Sequence, residues 1–259
     1  MSSQDQTKTW GSCPGDWADI QEATSKAGYD FVLNKLTRVP GLKLLDVGCG
    51  TGYFCKLAAG QDADVTGIDA AHIFIEEAKR RLPSGAFFAG DMEQLPFGDQ
   101  SFDVVCAFNA FQYAANIKNA LTEARRVLVN DGKLIIMVWG RKEACEIMTL
   151  LKAISGLLPS SPVNTPGAFA LSENDLLEQI LQQIGFDKIY ASIIPSSWDY
   201  PSPDVALRGL LSLGAVSKAI ENNGIEKVKE VVSEAIQPFV QTNSRVIYRN
   251  EYKIFIAEK

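Results

Sequence analysis

The segment Leu44-Leu45-Asp46-Val47-Gly48-Cys49-Gly50-Thr51-Gly52-Tyr53-Phe54 passes from an apolar run into a glycine-rich turn. Its first four residues are typical of a buried strand, and the pattern from Tyr53 to Ala59 predicts a helix. The three alternating glycines lack a Cβ, so the backbone can turn tightly and approach a ligand closely. The segment therefore predicts a strand, a glycine loop and a helix N-terminus, a common site for a small polar ligand.

The spacing of these glycines bears on which ligand the loop binds. Nicotinamide and flavin enzymes use a similar loop with the spacing G-x-G-x-x-G, whereas the third glycine of this chain comes one residue early. Asp46 lies two residues before the first glycine, where its carboxylate would disfavour a pyrophosphate and favour a cationic group. An NAD-dependent oxidoreductase is therefore the less favoured alternative.

The run from Leu45 to Gly52, Leu-Asp-Val-Gly-Cys-Gly-Thr-Gly, resembles the first motif of class I S-adenosylmethionine-dependent methyltransferases. S-adenosylmethionine carries a sulfonium and an ammonium but no phosphate, which agrees with the carboxylate of Asp46. The resemblance implies a Rossmann-like fold, S-adenosylmethionine as the cofactor and S-adenosylhomocysteine as its product.

Two further predicted strands, 64–69 and 86–92, carry an acid at the carboxyl end. Asp69 can accept hydrogen bonds from a ribose diol, and the alternative role is a helix N-cap. In the family that the chain resembles, an acid and an apolar residue after the third strand hold the adenine, a role that Asp91 and Met92 fit by position. Three strands that each end in an acid form a more specific pattern than any one of them.

The fourth predicted strand, 104–108, leads to the ligand edge of the sheet, where Asn109 is expected to contact the methionine part of the cofactor. The N-terminal helices of many relatives cover the cofactor, so Trp10, Trp17 and Gln21 are pocket candidates, with helix packing as the alternative. The predicted cofactor-binding residues are Asp46, Gly48, Cys49, Gly50, Gly52, Asp69, Ala70, Asp91, Met92, Asn109 and Trp17.

Aromatic and polar residues near the same edge predict the binding site of the methyl acceptor. For Phe111 and Tyr113, ordinary core packing is the alternative. The sole histidine, His72, lies in the first turn of a predicted helix, so no catalytic base is assigned. The predicted acceptor-binding residues are Phe111, Gln112, Tyr113, Trp198, Tyr200 and Tyr248.

Strands alternate with helices along most of the chain, which predicts an α/β fold. We expect a Rossmann-like, doubly wound, mostly parallel seven-stranded sheet with helices on both faces and a helical insertion near the C-terminus. The insertion is expected to be a substrate lid, with a dimer surface as the alternative. The predicted divisions are an N-terminal helical segment over the cofactor (1–40), the S-adenosylmethionine-binding core (41–200), the helical insertion (201–240) and a final strand region (241–259).

Composition limits the partners. The chain has 259 residues, a net charge of −6 and a pI near 5.0, which gives no electrostatic footprint for nucleic acid or an anionic membrane. The five cysteines form no C-x-x-C pair, so neither zinc nor a disulfide framework is expected, and reduced thiols fit a cytoplasmic protein. No apolar segment is long enough to span a bilayer. Either a monomer or a homodimer is compatible with the sequence.

Methyl transfer from a sulfonium is an in-line displacement, in which placement of the acceptor atom behind the methyl group is the main requirement. The sequence predicts a small, partly hydrophobic metabolite that accepts the methyl group on O, N or C. A protein that binds S-adenosylmethionine without turnover is the second alternative, because the difference would lie in the acceptor site.

Overall fold

The computed structural model describes residues 14–36, 40–159 and 168–259, and these residues form a single mixed sheet flanked by helices. The strand order is β3-β2-β1-β4-β5-β7-β6. Strands β1 to β5 pair in parallel, whereas β7 is antiparallel to both β5 and β6. The strands are β1 (Lys43–Val47), β2 (Asp64–Asp69), β3 (Ala86–Ala89), β4 (Phe102–Phe108), β5 (Leu128–Trp139), β6 (Asp187–Tyr200) and β7 (Val246–Glu258). The predicted Rossmann-like, mostly parallel fold is confirmed.

Helices lie between the strands and cover the sheet. The α-helices of at least seven residues are α1 (Lys26–Lys35), α2 (Tyr53–Ala59), α3 (His72–Arg81), α4 (Ile117–Val127), α5 (Met148–Ile154), α6 (Leu176–Gln183), α7 (Pro203–Leu211), α8 (Gly214–Asn223) and α9 (Ile225–Ile236). Shorter helical turns cover Pro14–Asp16, Phe111–Tyr113, Lys142–Ala144, Ser155–Leu157, Ala170–Ser172 and Gln237–Phe239.

The sheet separates two hydrophobic cores. In β1, the adjacent residues Leu44 and Leu45 are both fully buried but belong to opposite cores, because successive side chains of a strand point to opposite faces. One core includes Phe54 from α2, and the other includes Leu121 from α4 and Phe255 from β7. Burial on both faces explains why β1 is apolar after its exposed first residue, Lys43, apart from its acid.

The N-terminal segment differs from the single helix that the spacing predicts over residues 17–36. It consists of a π-helical turn (Trp17–Gln21), a 3-10 turn (Glu22–Ser25) and then α1. The Thr24 hydroxyl donates to the Gln21 carbonyl oxygen at 2.6 Å, and the Glu22 side chain points into the protein. These local bonds replace the regular helical pattern. Residues 1–13, which include Trp10, lie outside the described part of the chain.

The helical insertion packs on this N-terminal segment. The first part of the insertion is divided into α7 and α8 at Ser212, whose hydroxyl donates to the Gly209 carbonyl oxygen at 2.6 Å. Gly209 faces Ile20, since a Cβ on Gly209 would lie 2.8 Å from the Ile20 Cγ2. Arg208 and Asp16 form an ion pair at 2.5 Å. Helix α7 therefore supports the N-terminal segment from outside.

Gly67 in β2 provides a test of how closely the sheet packs around Cys49 and Phe87. A Cβ at Gly67 would lie 2.7 Å from the Phe87 Cδ1 and 2.8 Å from the Cys49 Sγ, and both of these residues are buried. We expect Gly67→Ala to lower the free energy of unfolding by about 1–3 kcal/mol because the core must shift. Gly156→Ala is the control, since its Cβ meets nothing within 4 Å. Equal stabilities of the two variants in urea denaturation would contradict this packing.

Candidate cofactor and acceptor site

A cavity lies at the carboxyl ends of β1 to β4, beneath the N-terminal segment, where ligands bind in open α/β sheets. The described residues that line it are Trp17, Glu22, Ser25, Tyr29, Asp46, Gly48, Cys49, Gly50, Ile68, Asp69, Ala70, Phe74, Gly90, Asp91, Met92, Glu93, Phe108, Asn109, Ala110, Tyr113 and Ala114. Ten of the eleven predicted cofactor-binding residues are in this set. The exception is Gly52, which packs against Ala78 behind the loop.

The glycine loop has the backbone conformation that its sequence demands. Gly48 has a φ of +75° and Gly50 has a φ of +53°, in the left-handed region that side chains disfavour. A Cβ at Gly48 would also lie 2.4 Å from the Cβ of Ala110. The N–H groups of Gly48 and Cys49 donate to the Ile68 carbonyl oxygen at 2.8 and 3.1 Å. The loop is thus fixed between β2 and the residues that follow β4.

The Asp46 carboxylate is buried at the floor of the cavity. Its Oδ2 accepts a hydrogen bond from the Cys55 thiol at 3.6 Å, and its Oδ1 has no hydrogen-bond partner among the described residues. Burial raises the pKa of Asp46 from 3.8 to about 8. A buried acceptor without a partner is costly, and an ammonium group would satisfy it. Asp46 therefore fits the cationic end of S-adenosylmethionine.

The two other predicted acids lie along the same cavity. The N–H groups of Gly50 and Ala71 donate to the two carboxylate oxygens of Asp69, at 3.0 and 2.8 Å. These bonds fix the orientation of Asp69, and burial raises its pKa. Asp91 is more exposed, and its Oδ1 accepts from the Glu93 N–H at 2.9 Å. Both carboxylates are suited to accept hydrogen bonds from the hydroxyl and amine groups of a nucleoside.

An ion pair that the sequence analysis missed holds the N-terminal segment over the cavity. Glu22 is buried and accepts from the Thr51 N–H at 3.0 Å, from the Thr51 hydroxyl and from Arg81. Arg81 also donates to the Ala18 carbonyl oxygen at 3.1 Å, and the rings of Trp17 and Phe74 stack at 6.0 Å. No local pattern reveals this contact, because Glu22 and Arg81 are 59 residues apart.

The wall beside β4 is aromatic and uncharged. Tyr29 from α1 and Phe108 from β4 make an edge-to-face contact with ring centroids 4.8 Å apart. The hydroxyls of Tyr29 and Ser25 form a hydrogen bond, and burial raises the pKa of Tyr29. Tyr113 is the one predicted acceptor-binding residue that lines the cavity within the described residues, and burial raises its pKa to about 12.

The other five predicted acceptor-binding residues are not among the described residues that line the cavity. Phe111 belongs to the core, and Gln112 lies next to the cavity, where its Nε2 donates to the Asn109 Oδ1 at 3.4 Å. The remaining three are fully buried in the core. Trp198 donates to the Tyr252 hydroxyl at 3.1 Å, the Tyr200 hydroxyl donates to the Gln21 Oε1 at 2.8 Å, and Tyr248 stacks on Phe239 at 4.1 Å. For Phe111, burial in the core is what is observed, whereas Tyr113 lines the cavity.

Other candidate centres contribute little. Over the described residues, no group of three or more His, Cys, Asp or Glu side chains is arranged to hold a metal ion. The thiols of Cys49, Cys55, Cys106 and Cys145 are free and buried, whereas Cys13 lies outside the described part of the chain. None of the helices in the described ranges has the length and apolar character needed to cross a membrane.

Comparisons with known proteins agree with this geometry. Residues 45–136 match the profile of a family described as "Methyltransferase domain". A malonyl-[acyl-carrier protein] O-methyltransferase from Methylococcus capsulatus is 29% identical over 217 residues, which cover 77% of this chain and 76% of the relative. A demethylmenaquinone methyltransferase from Thermotoga maritima is 34% identical over 108 residues, covering 41% of this chain and 47% of the relative.

Among solved structures, that of the [4+2]-cyclase SpnF has a TM-score of 0.58 and 21% identity, and the match covers 89% of this chain and 80% of the cyclase. This likeness concerns the fold alone, because one fold hosts several reactions. Fold, cavity and family profile together define a nucleoside-binding α/β protein of the methyltransferase type. Residues 45–136 match a methyltransferase domain, and together with the fold and the cavity this match supports a class I S-adenosylmethionine-dependent methyltransferase with S-adenosylmethionine as its cofactor.

The raised pKa of Asp46 predicts a pH-dependent stability. The folded chain keeps the Asp46 proton up to about pH 8, whereas the unfolded chain loses it near an ordinary pKa of about 3.9. This contribution is complete below the unfolded pKa and is lost as the pH rises through the folded pKa. Between about pH 6 and pH 8, we expect the native chain to lose about 2 kcal/mol more stability than Asp46→Asn. Parallel pH profiles in urea denaturation would contradict the buried-acid assignment.

The buried ion pair predicts a large and non-additive loss of stability. Arg81→Met leaves the buried Glu22 without its cationic partner, and we expect it to cost about 3–5 kcal/mol, with a smaller cost for the double variant Glu22→Gln/Arg81→Met. The control is Arg80→Met, since Arg80 pairs with Glu77 at the surface and is expected to matter by less than about 1 kcal/mol. Additive losses in the double variant would show that the two groups do not interact.

Proposed function

We propose that this enzyme transfers the methyl group of S-adenosylmethionine to an oxygen, nitrogen or carbon atom of a small organic acceptor. The main support is the buried Asp46 carboxylate, whose Oδ1 lacks a partner within the described residues at the floor of a cavity lined by the glycine loop. When bound, S-adenosylmethionine supplies a methyl group activated by a sulfonium. The protein then has to bind, orient and shield the two reactants.

Each part of the cofactor has a proposed partner. Asp46 would hold the ammonium, and Asp69 would accept hydrogen bonds from the ribose hydroxyls. Asp91 would accept from the adenine amine, with Met92 against the ring. Trp17 would cover the ligand from the N-terminal segment, since it lines the cavity and stacks on Phe74. The order of these partners follows the order of the strands that carry them.

Catalysis is proposed to rest on placement, without an assigned base. Tyr29 and Tyr113 line the cavity and have raised pKa values, so their hydroxyls stay protonated and are proposed to serve as hydrogen-bond donors and acceptors for the methyl acceptor. His72 is absent from the cavity lining in the described ranges. We therefore propose that the proton of the methyl acceptor passes to solvent, or that the acceptor is acidic enough to lose this proton by itself.

The insertion 201–240 is proposed to act on the site through the N-terminal segment. None of its residues is among the described residues that line the cavity, and α7 packs on Trp17–Gln21. The proposed role is thus support of the cavity roof, and the lid and the dimer surface remain the alternatives from the sequence. The acceptor could be a free metabolite or a carrier-bound group, given the names of the two relatives.

Calorimetric titration with S-adenosylhomocysteine tests the cofactor site. We expect micromolar binding by the native chain and a loss of affinity of about tenfold or more in Asp69→Asn and in Asp91→Asn, because each removes a charged acceptor. The control is Asp64→Asn, since Asp64 is exposed at the opposite end of the strand that carries Asp69. Failure of a folded native chain to bind would overturn the proposal.

Turnover separates the enzyme from a protein that binds without reaction. Formation of S-adenosylhomocysteine from S-adenosylmethionine in the presence of an acceptor panel is expected for the enzyme. Binding without turnover over oxygen, nitrogen and carbon acceptors would favour the non-catalytic alternative.

A further inference from the structure

The strand order locates the acceptor within the cavity. Asp91 follows β3, Asp69 ends β2 and Asp46 lies near the end of β1, and these three strands are neighbours in the sheet. If they hold adenine, ribose and the methionine part, as in the proposed function on which this inference rests, the row continues at β4. Strand β4 pairs with β1, with Asp46 opposite Cys106. The reacting methyl group would then lie towards the carboxyl end of β4 and the part of α1 that covers it.

Uncharged residues form this end of the cavity. Tyr29 packs on Phe108, so the wall presents aromatic surface. Ser25, Asn109 and Tyr113 add hydroxyl and amide groups around it. Aromatic walls with a few polar groups favour a planar ring that carries a hydroxyl or carbonyl.

The titratable side chains next to this wall are acids. Asp46 and Glu22 line the cavity next to this wall, and both act electrostatically on Tyr29. None of the described lining residues is Lys, Arg or His. The guanidinium of Arg81 is already committed, because it donates to Glu22, Thr51 and the Ala18 carbonyl oxygen. A carboxylate or phosphate at the reacting end would therefore lose its hydration without gaining a cationic partner among the described lining residues.

We propose that the methyl acceptor is an uncharged aromatic compound with a ring hydroxyl, of the phenol or hydroquinone class, and that Tyr29 and Tyr113 determine this specificity. A free carboxylate, as a malonyl acceptor would present, would find no cationic partner among the described residues of this wall. The acceptor oxygen forms the new carbon–oxygen bond while the carbon–sulfur bond breaks. The electron pair of the broken carbon–sulfur bond stays on sulfur, and the proton of the acceptor hydroxyl passes to solvent.

Three probes of the same ring size test the charge preference: 2-naphthol, 2-naphthamide and 2-naphthoic acid. Each is titrated calorimetrically into the full chain saturated with S-adenosylhomocysteine. We expect both neutral probes to bind about tenfold or more tightly than the acid, although the amide and the acid have nearly the same shape. An acid that binds as tightly as the amide would overturn the proposal.

A positive charge introduced at Tyr113 makes the test stricter. Tyr113→Arg introduces a guanidinium at the wall and is expected to reverse the preference between the acid and the amide by about tenfold or more. The control is Tyr113→Phe, which removes the hydroxyl without adding charge and should weaken 2-naphthol while leaving the preference for neutral probes. An unchanged preference in Tyr113→Arg would remove Tyr113 from the acceptor site.

The outcomes also separate this inference from the proposed function. If S-adenosylhomocysteine fails to bind, the proposed function fails first. If it binds and neither neutral probe does, or if a malonyl thioester is methylated in preference to neutral rings, only the acceptor class is overturned.

Discussion

A buried carboxylate whose position cannot change is the constraint on which the site depends. Asp46 follows Leu44 and Leu45, which fill the cores on opposite faces of the sheet, so a shift of β1 by one residue would move each leucine into the opposite core and turn the acid to the other face. The acid is therefore held at the cavity floor with its Oδ1 lacking a partner within the described residues, at a cost to stability. Such a cost is typical of functional sites, where a ligand supplies the missing charge.

The roof of the cavity depends on contacts between distant parts of the chain. Glu22 binds the glycine loop through Thr51 and the end of α3 through Arg81. On its outer side, the same segment is held by α7 and by the Tyr200 hydroxyl on Gln21. We infer that the C-terminal insertion contributes to ligand binding indirectly, by fixing the segment that carries Trp17 and Tyr29.

The sequence was sufficient for the features that local physical chemistry determines. Strand β2 was predicted with its observed bounds, and the glycines and strand-end acids placed ten of eleven cofactor candidates at the cavity. The Glu22–Arg81 pair could not be predicted, because a glutamate in a helical pattern is ordinarily solvated. Trp198, Tyr200 and Tyr248 were candidates by residue type alone. Pairing along β6 and β7 buries these three side chains. No pattern in one amino-acid sequence distinguishes aromatic residues of a core from those of a pocket.

The proton balance of ligand binding tests the central claim most directly. If Asp46 holds the ammonium of the ligand, its raised pKa must fall on binding, and near neutral pH the complex has to release a proton from the protein. Calorimetric titration with S-adenosylhomocysteine in buffers of different ionisation enthalpy measures that number. Release approaching one proton by the native chain, and none by Asp46→Asn, is expected. Tight binding by the native chain without proton release would contradict a protonated Asp46 at the cationic end of the site.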